Sequence, residues 1–177
     1  MVKFRLLAAA SLILLTAIGG LAQEQEKTKD EVIAADVSNV LERHVFYTVY
    51  DYLAFKLENG VVTLFGQVTA DFKIESYKKS ILKHVEAVKE VKSEIEILPP
   101  SATDDRIRYL IAYKIYNDDR MLRYAIANFP KPIHVIVRNG RVTLEGVVNT
   151  EMDRRLAESI AREVGGVLNV TNNLAVE

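Results

Sequence analysis

Cysteine and tryptophan are absent from the 177 residues, and histidine occurs only three times. Without cysteine there is no disulfide, no thiolate metal site and no thiol nucleophile. His44, His84 and His134 fall in different segments, and no two share a metal-ligand spacing. No serine or threonine sits beside an evident base, and the glycines form neither a phosphate-binding loop nor a dinucleotide fingerprint. Charge of one sign is lacking too. A formal net charge of −1 offers no basic field for nucleic acid. These absences argue against an enzyme, and no metal, cofactor, nucleic acid or small-molecule substrate is expected. What is present is 49% apolar and 27% charged residues, the balance of a globular chain of one domain or two small ones.

The first 22 residues read as an export signal. Lys3 and Arg5 precede an apolar run from Leu6 to Ile18, and Gly20-Leu21-Ala22 supplies small residues for cleavage before Gln23. Gly19-Gly20 breaks the run short of the about 20 apolar residues that a membrane span needs. The expected product is periplasmic or secreted, cleaved at about Ala22. Residues 23–30 contain no apolar side chain and read as a flexible lead-in.

Beyond them the chain repeats itself at a spacing of about 80 residues. Asn59-Gly60-Val61-Val62-Thr63-Leu64-Phe65-Gly66-Gln67-Val68 matches Asn139-Gly140-Arg141-Val142-Thr143-Leu144-Glu145-Gly146-Val147-Val148. Ser80-Ile81, Val85 and Val88-x-x-Val91 then match Ser159-Ile160, Val164 and Val167-x-x-Val170. The proline pair of residues 99–101 separates two units, 31–98 and 102–177, because it can continue neither strand nor helix.

Each unit spells α-β-β-α-β. Ile33, Val37, Val40 and Leu41 mark one apolar helix face, and Ser101-x-x-Asp104 resembles a capping box before a helix from about Thr103 to Tyr116. Leu53, Phe55, Leu57 and Ile133, Val135, Val137 alternate as strands. Gly60 and Gly140 complete Asn-Gly hairpin turns, which require positive φ at both central positions. Gly66 and Gly146 share an inward-facing place on the return strand, where a helix backbone packs closely or the strand bends. The predicted class is α+β: two copies of a two-layer domain, each a three-stranded mixed sheet with two helices on one face.

The motif Asn-Gly-x-Val-Thr-Leu-x-Gly-x-Val, followed by a helix, Val-x-x-Val and a closing strand, resembles the BON domain, a family named for a bacterial osmotically inducible periplasmic protein and nodulation proteins. The likeness is closest over Ile133–Val176, with Val164-Gly165-Gly166-Val167 and Val170-Thr171-Asn172-Asn173-Leu174. The first copy departs from it, Ala87 and Lys89–Lys92 standing in place of that turn. The resemblance implies a non-enzymatic envelope module that associates with anionic phospholipid or an envelope protein and supports envelope integrity or osmotic stress tolerance. The alternative is a periplasmic protein-interaction adaptor or holdase-like stress protein that never touches lipid.

Three surfaces are candidates. In the helix of 103–116, Ile107, Leu110, Ile111 and Ile115 suit the sheet side, while Tyr109, Tyr113 and Tyr116 gather opposite, with Arg106 beside them and Arg108 nearer the flank. Tyrosine suits a boundary apolar at one end and wet at the other, and with Arg106 and Arg123 this face is the expected lipid or partner site. Lys78, Lys79 and Lys83, within a lysine-rich stretch running from Lys73 to Lys92, form a second basic face. Phe65 points away from its own helices and is the candidate contact between the copies. The aspartate pairs 104–105 and 118–119 read as helix-end caps, and His134, alternating with Ile133 and Val135, as a solvated or hydrogen-bonded residue on the outer sheet face.

Overall fold

A computed structural model describes residues 29–126 and 131–177. The expected export signal of 1–22 and most of the expected lead-in lie outside the described residues.

The first module runs α1 (Lys29–Glu42), β1 (Tyr52–Glu58), β2 (Val61–Val68), α2 (Phe72–His84) and β3 (Glu90–Ile97). Its sheet has the order β1-β2-β3, antiparallel across the hairpin and parallel from β2 to β3. The second module repeats this with α3 (Ala102–Asn117), a short α4 (Leu122–Ile126), β4 (Ile133–Arg138), β5 (Arg141–Val148), α5 (Glu151–Arg162), β6 (Asn169–Asn172) and β7 (Ala175–Val176). Here β6 and β7 pair in turn with β5. The expected two-layer α+β architecture is present twice, with each core between sheet and helices. Val37, Leu41, Leu53, Leu64, Tyr77 and Ile81 fill the first core, and Ile107, Ile111, Ile115, Ile133, Leu144 and Ala161 fill the second.

Local signals act where they were expected. Ser101 caps α3 by accepting from the N–H of Asp104 at 3.2 Å. Both Asn-Gly turns have positive φ at both residues, 54° and 80° in the first, 51° and 71° in the second. Asp104 does more than cap: buried, it accepts the N–H groups of Asn139 and Gly140 at 2.7 and 2.9 Å and ties α3 to the hairpin.

Gly66 and Gly146 differ from expectation in their reason. Their φ values are 117° and 116°, and the atoms nearest to a Cβ belong to the backbone at the start of the neighbouring strand: it would lie 2.0 Å from the carbonyl oxygen of Tyr52 or Pro132. Strand pairing therefore dictates glycine there. Gly146→Ala is expected to destabilise the protein by more than about 2 kcal/mol, through both clash and positive φ. A thermal melt of the variant within about 0.5 kcal/mol of the parent would contradict this.

Val45–Tyr52 is strand-prone by composition, yet only Tyr52 enters β1 and the residues before it form turns. Asp51 explains their closure. Its fully buried carboxylate accepts the N–H and hydroxyl of Thr48 and of Thr69 and holds Lys73 Nζ at 2.7 and 2.8 Å. The counterpart segment before β4 includes the short α4, whose Tyr124 hydroxyl donates to Asp153 at 2.8 Å.

Candidate functional site

The modules meet along a seam made by the 47–51 turn and the outer face and edge of β4. Val135 N–H donates to the Val49 carbonyl at 2.7 Å, extending the second sheet by one backbone bond. Val49 and Tyr50 pack against the second module's core. His134 is 2% exposed, with its ring 5.0 Å from that of Tyr47 and stacked on it. Its Nδ1 lies 3.2 Å from the Thr48 carbonyl and its Nε2 3.4 Å from the Tyr47 hydroxyl. A neutral ring fits both, donating to the carbonyl and accepting from the phenol. Burial pushes His134 down to about 4 and Tyr47 well above the usual phenol range. The outer-face placement of His134 stands, and of the two expected environments, solvated or hydrogen-bonded, it has the second, buried in the seam.

Phe65 is half-buried two residues along β2 from Gln67, opposite Ala54 on β1 and Glu94 on β3. Contacts across the seam include those of Tyr47, Thr48, Val49, Tyr50 and Tyr52, whose ring is 6.4 Å from that of His134, and that of Glu96, which pairs with Arg138 at 2.9 Å.

The tyrosine face is smaller than its periodicity implied. Tyr109 and Tyr113 are 57% and 55% exposed, with parallel-leaning rings 6.0 Å apart. Arg106 is exposed on the same helix and has no ion pair among the described residues. Tyr50 is harder to ionise than a free phenol, first because of burial and then because Tyr109 stands near it. Tyr116 does not belong with the exposed pair. Its hydroxyl donates to the Ile133 carbonyl at 2.7 Å and accepts the Ile133 N–H at 3.0 Å, so it clasps the edge of β4, and burial pushes its phenol up.

Arg108 also moves from flank to interior: it is buried, bonded to Asp105, and reaches the Val137 carbonyl at 2.5 Å. Arg123 lies on α4, paired with Asp153 at 3.3 Å and 5.9 Å from the centre of the Tyr124 ring. It serves the α4–α5 junction rather than the tyrosine face.

The basic stretch divides likewise. α2 ends at His84, so Lys89 and Lys92 lie beyond it, and Lys73 is buried against Asp51. Lys79 and Lys83 are exposed, and Lys78, half-buried, pairs with Glu75 at 2.9 Å. No set of three potential metal ligands occurs among the described residues, and none of their helices is long and apolar enough to cross a membrane.

Fold and surface together define a two-module α+β protein with a buried seam and an exposed tyrosine pair. The family model of the BON domain matches residues 121–177, within the second module. No curated protein matches the chain. Among solved structures it is similar to the C-terminal domain of CdsD, the structural protein of the type III secretion system of Chlamydia trachomatis. That match has 13% identity and a TM-score of 0.33, covering 81% of this chain and 64% of the other, less than two thirds of its length. A second CdsD structure matches at 12% identity and a TM-score of 0.32, covering 82% and 92%.

Proposed function

We propose that the chain is a non-catalytic, exported binding protein of the cell envelope whose second module meets anionic phospholipid through Tyr109, Tyr113 and Arg106. One observation carries the reading: two tyrosines stacked on the solvent side of a helix whose other side already fills a core. A helix of a two-layer domain needs no aromatic there. The phenol rings offer apolar area with a wet rim, and an unpaired arginine adds about 1 kcal/mol of attraction at an anionic surface. The BON match supports a binding rather than a catalytic role, and the basic, apolar and small-residue order of the first 22 residues supports export to an envelope address, with envelope integrity under osmotic stress as the physiological role.

Joint replacement Tyr109→Ser, Tyr113→Ser is expected to abolish co-sedimentation with vesicles containing phosphatidylglycerol. The melt should stay within about 0.5 kcal/mol of the parent, as for surface substitutions generally. Unaltered vesicle binding would refute the site.

A protein-interaction reading is favoured by a different observation. Both modules expose apolar side chains at corresponding places: Val45, Phe46 and Phe72 in the first, and Leu122, Ile126 and Met152 in the second. Phe46 and Phe72 meet edge to face at 5.1 Å. On this reading a protein segment docks on one or both patches, and Phe46→Ser, Phe72→Ser would remove binding while the tyrosine variant would not.

A further inference from the structure

The second hairpin places two arginines opposite each other. Arg138 ends β4, Arg141 opens β5, and they are register partners across the Asn139-Gly140 turn. Like charges directly opposite on one sheet repel, so this pair calls for an anion between them. The protein supplies only part of one. Arg138 Nη2 donates to Glu96 of the first module at 2.9 Å, and bonds from Arg138 and Gln67 hold the Glu96 carboxyl below its usual range. The Nε of Arg138 is out of reach of solvent and has no acceptor. Arg141 is exposed and pairs with no carboxylate among the described residues. One carboxylate therefore serves one arginine of the pair, and the second guanidinium has none among the described residues.

The arginines line an open groove of about 220 Å³ between the modules, together with Gln67, Leu98, Ile136 and Thr143. That volume is below the roughly 300–1,000 Å³ of sites for drug-sized ligands, so it suits one compact oxyanion and not a nucleotide or cofactor. Guanidinium forks match phosphate oxygens in pairs. The Thr143 hydroxyl is a further donor on the groove wall, beside the Gln67 amide, which spends one N–H on Glu96 at 3.4 Å. We infer that this groove binds a single phosphate-class oxyanion between Arg138 and Arg141. The site spans the seam, with Gln67 and Leu98 from one module and both arginines from the other. An anion held there ties the modules together.

The phosphate is either free or the headgroup of a lipid, and the experiment separates the two. Inorganic phosphate titrated into the ¹⁵N-labelled protein at constant ionic strength is expected to give saturable shifts at Arg138, Arg141 and Thr143. Arg141→Gln, an exposed substitution that leaves the melt in place, should weaken that binding at least tenfold. The Tyr109→Ser, Tyr113→Ser variant should bind phosphate as the parent does, so failure of the lipid face and failure of this site are read independently. Vesicles of phosphatidic acid that displace phosphate from these resonances would identify a headgroup as the source; vesicles that leave them unmoved would identify free phosphate. Equal phosphate affinity in Arg141→Gln and parent, or no saturable shift at the groove, would overturn the inference.

Discussion

Lys73→Met is expected to destabilise the first module by about 3–5 kcal/mol, the cost of leaving a buried charge without its partner. Asp51 is 0% exposed and Lys73 almost as buried, so water cannot replace the lost ammonium. The two threonines still donate to the carboxylate, but four neutral bonds do not cancel its charge. Domains are typically stable by about 5–15 kcal/mol, so a loss of this size removes much of the margin. Methionine keeps the apolar stem, which isolates the charge. The double variant Asp51→Asn, Lys73→Met should recover a large part of the loss, because it removes both ions. Urea unfolding of the four forms measures the coupling. Additive losses would show that the two groups do not act as a pair.

Acid is expected to loosen the seam through His134. The imidazole titrates near 6.5 when free and at about 4 in the folded protein, because burial disfavours its cation. The depressed value means that the unfolded or undocked form takes up the proton first. The stabilisation is therefore complete above pH 6.5 and lost progressively as pH falls towards 4. A tenfold difference in proton affinity is worth about 1.4 kcal/mol, so the loss reaches about 2 kcal/mol by pH 5. The groups facing the ring are the Tyr47 and Tyr52 phenols, the Thr48 and Asp51 carbonyls, the nearby Asp51 carboxylate and Glu145, its register partner on β5. The Asp51 carboxylate favours the cation, but desolvation is the larger effect. His134→Phe keeps a ring for Tyr47 to stack on and removes the titration. Its stability should vary less than the parent's between pH 7 and 5, and an unchanged pH slope would exclude His134 as the cause.

Some of this could be read along the chain and some could not, for physical reasons. The Asn-Gly turns, the Ser101 cap and the alternating strands are local, and each formed where its residues directed. Lys73 looked like one lysine among several because its partner, Asp51, is separated from it by a whole hairpin. Arg108 was placed only near the helix flank, because a helical wheel does not show that a long side chain can turn inward from there. Tyr116 shares a stripe with Tyr109 and Tyr113, yet the end of α3 lies over the edge of β4, where its hydroxyl meets both backbone groups of Ile133. The burial of His134 depends on a turn in the other module that has no period to read. Tyr109 and Tyr113 were legible because a solvent-facing helix side is set by the same periodicity as its buried side.

A spin label in the membrane tests the tyrosine face most directly. Anionic nanodiscs carrying a lipid with a headgroup nitroxide, mixed with the ¹⁵N-labelled protein, should broaden the amides around Arg106, Tyr109 and Tyr113 most strongly. Zwitterionic discs should leave them sharp. Broadening centred instead on Phe46, Phe72 and Met152, or no broadening in anionic discs, would contradict the tyrosine face as the membrane-binding surface.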